Sequence, residues 1–243
     1  MSERIAKHLA RAGLCSRREA ERWIAAGRVS IDGAVLTSPA LNVGPDNVVR
    51  VDGEPVGPPQ RRRLWLYHKL PGLLTTRADP RGRPTVFEML PRDLPRVIAV
   101  GRLDLASEGL LLLTNDGDLS QRFAHPSYGL LRSYRARVHG RVEAAALAAL
   151  GEGISVRGIA YGPIAVEIER TNGANSWLTV ALREGKNREV RRVLGHLGLE
   201  VNRLIRVSYG PFELGRLERG AAAAVPEHLV EAALVAAPYP DGP

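Results

Sequence analysis

The sequence predicts an α+β fold in two parts, a small N-terminal α/β module and a larger, mainly antiparallel mixed-sheet domain. Three observations carry this. Two short helical patterns come first and run into paired β segments, a proline- and arginine-rich stretch follows, and beyond it β-like runs alternate with only a few helical patterns. A length of 243 residues fits one to two domains, and 44% hydrophobic with 25% charged residues places the chain among globular proteins.

Ile5, Leu9 and Ala12 keep helical spacing up to Gly13. Ser16-Arg17-Arg18-Glu19 then has the form of a capping box and opens a second helix, with Ala20, Trp23 and Ile24 on one face and Gly27 closing it. Val29 to Ile31, the two-residue turn Asp32-Gly33 and Ala34 to Leu36 read as a hairpin, and Val48 to Val51 before Asp52-Gly53 adds a further strand. Gly57 to Arg63 holds two prolines and three arginines and nothing to bury, so a linker belongs there. The expected domains are 1–60 and 64–237, followed by a frayed tail at 238–243.

In the second domain the strand-like runs are Leu64 to Leu70, Arg96 to Leu103, Gly109 to Thr114, Ser133 to His139, Ile164 to Thr171, Trp177 to Arg183 and Val201 to Ser208. Asn172-Gly173 marks a hairpin between two of them. Asn115-Asp116-Gly117 reads as a turn ahead of a helix capped from Asp118 to Gln121. Asn187 is a candidate cap for a helix whose Val190, Val193, Leu194 and Leu197 share a face, and Pro226 starts a last helix.

A net charge of +8 favours a polyanionic partner, either nucleic acid or an anionic membrane surface. The excess is clustered. Arg122 to Arg141 carries five arginines and no acid, Arg183 to Arg206 carries seven Lys/Arg against three Glu, and the first module adds Lys7, Arg11, Arg17, Arg18, Arg22 and Arg28. Three clusters in one chain point to a surface that tracks phosphates, and with aromatics at 5% a structured RNA or duplex backbone fits better than a stacking platform for long single strands. The single cysteine, Cys15, indicates a reducing compartment; with no export signal and no apolar run near the roughly 20 residues of a membrane span, a cytoplasmic protein is expected.

Several chemistries lack their motifs. There is no Gly-rich Lys loop for nucleotide phosphates, no G-x-G-x-x-G fingerprint, no G-x-S-x-G elbow and no H-x-x-x-H pair, so neither a nucleotide cofactor nor a metal is expected. What remains is Gly101-Arg102-Leu103-Asp104, an acid two residues after an arginine at the end of an apolar run. A carboxylate held ionised by a guanidinium beside an apolar pocket is a potential nucleophile; the same spacing equally describes a structural ion pair or a capped turn. Glu108, four residues on, raises a paired-carboxylate glycosidase as another reading.

Gly101-Arg102-Leu103-Asp104 with Glu108-Gly109 and Leu110 to Gly117 resembles the catalytic motif of the bacterial ribosomal pseudouridine synthases of the RsuA/RluB type. Residues 4 to 56 resemble that family's S4 RNA-binding module. Lys69 to Thr76 with Gly82 to Phe87 resembles its opening catalytic motif, Glu184 to Arg192 resembles its third, and Arg203 to Gly210 tilts the match toward the RluB branch, which acts on large-subunit ribosomal RNA. The departures, Leu105-Ala106-Ser107 where a Thr is frequent and Leu70 before Pro71 where Lys-Pro is usual, leave the aspartate untouched.

The resemblance implies an S4-like module joined to a pseudouridine synthase domain that isomerises uridine to pseudouridine without a cofactor. Asp104 would be the catalytic carboxylate, either attacking C1′ or assisting loss of a ribose proton. Tyr134 would stack on the flipped base and relay a proton, and Arg191, with Lys186 as the second candidate, would pair with the aspartate and lower its pKa. Arg102, Lys186 and Leu204 are the substrate-binding candidates, Leu204 as an apolar neighbour of the base. Arg17, Arg18, Arg22, Arg132 and Arg135 are the candidates for phosphate contacts. The implied partner is ribosomal RNA or a ribosome-assembly intermediate, met by a monomer. A non-catalytic RNA-binding assembly factor is the alternative.

Overall fold

The computed structural model describes residues 2–236; the tail expected at 238–243 lies outside them. The chain packs as two compact units. One comprises the residues up to Arg63 with Pro95–Ile98 and Asn115–Gly117, and the other comprises Leu64–Leu94, Ala99–Thr114 and the residues from Asp118 onward.

In the first unit, helices span Ile5–Arg11 and Arg17–Ala25. Ser16 Oγ accepts the Glu19 N–H at 3.1 Å while a Glu19 carboxylate oxygen accepts the Ser16 N–H at 3.4 Å, the reciprocal cap expected from the sequence. A small antiparallel sheet orders Ala34–Val35, Val29–Ile31, Val49–Val51 and Glu54–Pro55. Both of its hairpins turn on Asp-Gly pairs with positive φ, 50° and 88° at Asp32-Gly33 and 52° and 86° at Asp52-Gly53, the geometry whose twist matches paired strands. Ile5, Leu9, Ala20, Ile24, Val29 and Val49 close the core around Cys15. Burial pushes the Cys15 thiol up to about 11, which makes it an inert packing group.

The second unit is built on a sheet whose main path runs Ile164–Asn172, Asn175–Leu182, Arg132–His139, Glu200–Tyr209, Glu108–Thr114, Leu64–Lys69 and Ala222–Ala224. Every pairing on this path is antiparallel except that of Glu200–Tyr209 with Glu108–Thr114, where Ile205 faces Glu108 and Arg206 faces Gly109. Leu110 to Leu113 are fully buried, so the longest leucine run is a central strand covered on both faces, each side chain contributing about 2 kcal/mol. The parallel junction requires a glycine. Gly109 has φ +102°, and a Cβ there would meet the Arg206 carbonyl oxygen at 2.3 Å.

Helices Gly117–Ala124 and Glu227–Ala236 pack on one side of this strand through Leu119, Phe123, Val230 and Ala233. The Asn172-Gly173 turn closes a hairpin as expected, with Asn172 opposite Asn175. Three expectations need correction. The helix after Asn115-Asp116 already starts at Gly117, so Asp118 lies inside its first turn and does not cap it. Of the run Arg96 to Leu103 only Ile98–Ala99 is extended, because the chain leaves the strand at Gly101, φ +65°, to enter the Asp104 loop. Asn187 does not cap the helix Glu189–His196; its side chain accepts from Arg192 Nη2 at 2.8 Å, and Arg188, in the left-handed region, holds the cap position. The helix Ala144–Ala149 and the hairpin Ile154–Val156 with Ile159–Tyr161 had no counterpart in the expected elements.

Candidate active site

A cleft of about 390 Å³ opens beside the end of the main sheet, and Asp104, Tyr134, Leu204, Arg102 and Lys186 all line it. The fold brings them there from separate places. Asp104 and Arg102 come from the loop after Gly101, Tyr134 and Leu204 from the facing strands Arg132–His139 and Glu200–Tyr209, and Lys186 from the loop before the helix Glu189–His196. Tyr134 and Leu204 are buried and give the cleft an apolar wall.

The Asp104 loop is tethered by its backbone. Five consecutive carbonyls accept hydrogen bonds from outside the loop. Leu103 O accepts from Thr75 Oγ1 at 2.9 Å, Asp104 O from Lys69 Nζ at 3.2 Å, Leu105 O from the Gly72 N–H at 2.7 Å, Ala106 O from Arg191 Nη2 at 3.1 Å, and Ser107 O from Lys69 Nζ at 2.8 Å. The Asp104 carboxylate, half-buried, has no hydrogen-bond or ion-pair partner among the described residues. A fixed backbone with a free carboxylate spares the side chain the cost of breaking an ion pair before it meets a substrate.

Lys69 sits at the centre of this arrangement with no exposed surface. Burial lowers its pKa to about 8, partly opposed by the nearby Asp104 charge. No role was assigned to it from sequence. The signal was there: strand alternation sets Lys69 on the same buried side as Trp65 and Tyr67, a position where a lysine needs partners. Arg206 was missed in the same way. Buried to 2% exposure, it lines the cleft and donates Nε to Leu110 O at 2.7 Å.

The candidate cations divide into tied and free. Arg191 does not pair with Asp104, contrary to the pairing that the resemblance implied. Its guanidinium donates to Val201 O and Ala106 O, and it reaches Asp104 only through the field. Lys186 is held by Glu184 at 2.7 Å and Ala160 O at 2.8 Å. Arg102 is exposed, without an ion pair to Asp104, so the neighbour-in-sequence pairing also fails. Arg132 is 5% exposed and spends its donors on Leu130 O, Arg183 O, Glu184 O and Tyr209 Oη, which makes it cleft wall rather than an open phosphate contact. Arg135 lies on the opposite face of the sheet, bidentate to Glu169 at 2.8 and 2.6 Å. In the first unit Arg17, Arg18 and Arg22 are exposed and unpaired among the described residues, whereas Arg11 pairs with Glu3 and Arg28 with Asp52.

Glu108 does not join Asp104 in the cleft. It is buried and clamped by Arg203 at 2.5 Å and Arg219 at 3.1 Å, which hold its carboxyl below the usual range despite burial. Glu189 forms part of the cleft wall, accepts the Lys186 N–H at 2.8 Å, and is raised to about 7 by burial.

Residues 63–196 match the family described as RNA pseudouridylate synthase, and residues 3–49 match the S4 domain. The chain belongs to the RNA pseudouridylate synthase family. The enzyme is 46% identical over 229 residues to a Rickettsia felis protein described as an uncharacterized RNA pseudouridine synthase, covering 94% of this chain and 99% of that one. It is 45% identical over 230 residues to the ribosomal large subunit pseudouridine synthase B of Salmonella typhi, covering 90% and 78%. A crystal structure of a pseudouridylate synthase superposes with a TM-score of 0.66 at 25% identity over 95% of this chain and 99% of that one. The N-terminal unit is thus an S4 domain, as the resemblance implied. Among the described residues no helix is long and apolar enough to cross a membrane.

Proposed function

We propose that this synthase isomerises a uridine of large-subunit ribosomal RNA, free or within an assembly intermediate, with Asp104 as its catalytic carboxylate. The free Asp104 side chain on a tethered loop, lining one cleft with Tyr134 and Leu204, is the observation that carries the assignment. In the reaction the N1–C1′ bond breaks, the uracil turns, C5 bonds to C1′, the C5 proton leaves and N1 regains a proton. Asp104 acts at the sugar, by attack on C1′ or by taking a ribose proton.

Tyr134 stacks on the uracil once it leaves its helix, offsetting an unstacking cost of a few kcal/mol, on the order expected for base flipping. Leu204 keeps the pocket apolar, which protects the sugar from water that would release free uracil. Arg102, exposed at the cleft, meets the phosphate beside the flipped nucleotide, and Arg17, Arg18 and Arg22 meet phosphates elsewhere on the RNA. The 45% identity to a Salmonella typhi enzyme named for the large subunit supports the choice of RNA.

The test is a pseudouridine map of unmodified large-subunit ribosomal RNA, naked and in precursor particles, after incubation with the enzyme. One new pseudouridine in either substrate is expected. Modification of small-subunit RNA alone contradicts the choice of RNA, and released uracil contradicts the isomerase chemistry.

A further inference from the structure

The face of the main sheet turned away from the cleft carries charge that the chemistry does not use. Strand alternation sends Arg132, Tyr134, Ala136 and Val138 to the buried side and Arg135 and Arg137 to the other. The register then aligns four residues across four strands: Arg170 faces Trp177, Trp177 faces Arg137, and Arg137 faces Arg203. With neighbouring strands about 5 Å apart, Arg170 and Arg137 stand about 10 Å from each other with the indole between them. Asn172 and Asn175 complete the rim of a shallow depression of about 560 Å³ that these three residues line.

The cations in this row differ in what holds them. Arg203 is clamped to Glu108, and Arg135, next along the same face, is clamped to Glu169 and stacked on Trp177 at 4.8 Å. Arg137 and Arg170 are exposed, and neither guanidinium makes a hydrogen bond or ion pair among the described residues. Arg170 adds to the Arg135 hydrogen bonds in holding the Glu169 carboxyl below the usual range, yet makes no ion pair with it. Arg137 directly faces Arg203 on the neighbouring strand, and like charges set opposite each other on a sheet face cost stability that a bound polyanion relieves. Two free guanidiniums flanking a half-exposed indole, with asparagine amides at the rim, have the chemistry of a site for phosphates and an unstacked base.

We propose that this face is a second RNA-binding surface, which takes a looped or single-stranded segment of the substrate RNA away from the target uridine. Arg137 and Arg170 contact its phosphates and a base lies against Trp177. Because the surface is on the opposite side of the sheet from the cleft, it contributes affinity and leaves the chemical step alone. The proposal requires only that RNA is the ligand, whichever uridine is modified.

The test measures binding of an unmodified large-subunit ribosomal RNA transcript across a salt series for wild type, the double variant Arg137→Glu/Arg170→Glu, and Trp177→Ala. The double variant is expected to bind about tenfold more weakly and to lower the slope of log Kd against log salt by about two. Trp177→Ala is expected to weaken binding about fivefold or more with the slope unchanged. Turnover at saturating RNA stays within about twofold of wild type in both. Should the double variant unfold, Arg137→Gln/Arg170→Gln carries the same test with a smaller loss and the same change of slope. Unchanged affinity and slope in a folded variant overturn the proposal, as does a fall in saturated turnover with affinity intact.

Discussion

Asp104 and Glu108 stand four residues apart, and the structure treats them in opposite ways. Glu108 lies at the start of a central strand, buried and held by two arginines. Asp104 lies on the loop before it, with the backbone on both sides hydrogen-bonded and its carboxylate unpartnered. A buried charge clamped by partners supports the fold, and removing a partner exposes the full cost of burying the other. A charge left free on a rigid loop keeps its interaction energy for whatever enters the cleft. The state of a charge's partners, more than its distance from the motif, separates the two roles here.

The tethers are the first place to break this contrast. Lys69→Met removes the donor shared by Asp104 O and Ser107 O, and the turnover rate under single-turnover conditions is expected to fall about a hundredfold from misplacement of the carboxylate. Removing a buried charge limits any loss of melting temperature, so a rate loss accompanied by little unfolding identifies positioning rather than collapse. Saturated turnover should fall more than RNA affinity.

Gly109→Ala attacks the junction behind the loop. A methyl group 2.3 Å from the Arg206 carbonyl oxygen forces the parallel pairing apart, with an expected loss of about 2–4 kcal/mol in denaturant unfolding.

A smaller effect comes from Glu189. Its folded pKa of about 7 exceeds the 4.5 of an unfolded carboxyl, so the folded state holds the extra proton between these values. Its contribution is fully present below about pH 4.5 and is lost as pH rises through 7. Unfolding measured across that window should show wild type losing about 2–3 kcal/mol relative to Glu189→Gln, which lacks the titration.

What the sequence made legible was local. The Ser16 capping box, the Asp32-Gly33 turn and the Asn172-Gly173 hairpin depend on residues within a few positions of one another, and all form as read. The cleft-lining positions of Asp104, Tyr134 and Leu204 came from motif resemblance, since nothing in local spacing joins residues a hundred positions apart. The tethers were illegible because their partners are distant in sequence: Lys69 reaches carbonyls 35 and 38 residues away, and Arg191 reaches one 85 away. Charge clustering found the basic stretches but could not distinguish Arg132, spent on carbonyls, from Arg137, free on the open face. That distinction depends on which side of a strand faces packing, and on a sheet order the sequence does not state.

The most direct measurement is release of label from C5-tritiated uridine in RNA, at enzyme excess, for Asp104→Asn and Glu108→Gln side by side. Asp104→Asn is expected to bind RNA as wild type does and to lose about a thousandfold or more in rate. Glu108→Gln, as far as it folds, is expected to stay within about tenfold, its deficit appearing in stability. Normal release by Asp104→Asn, or an equal loss of rate by a folded Glu108→Gln, would contradict the assignment of the chemistry to the free carboxylate.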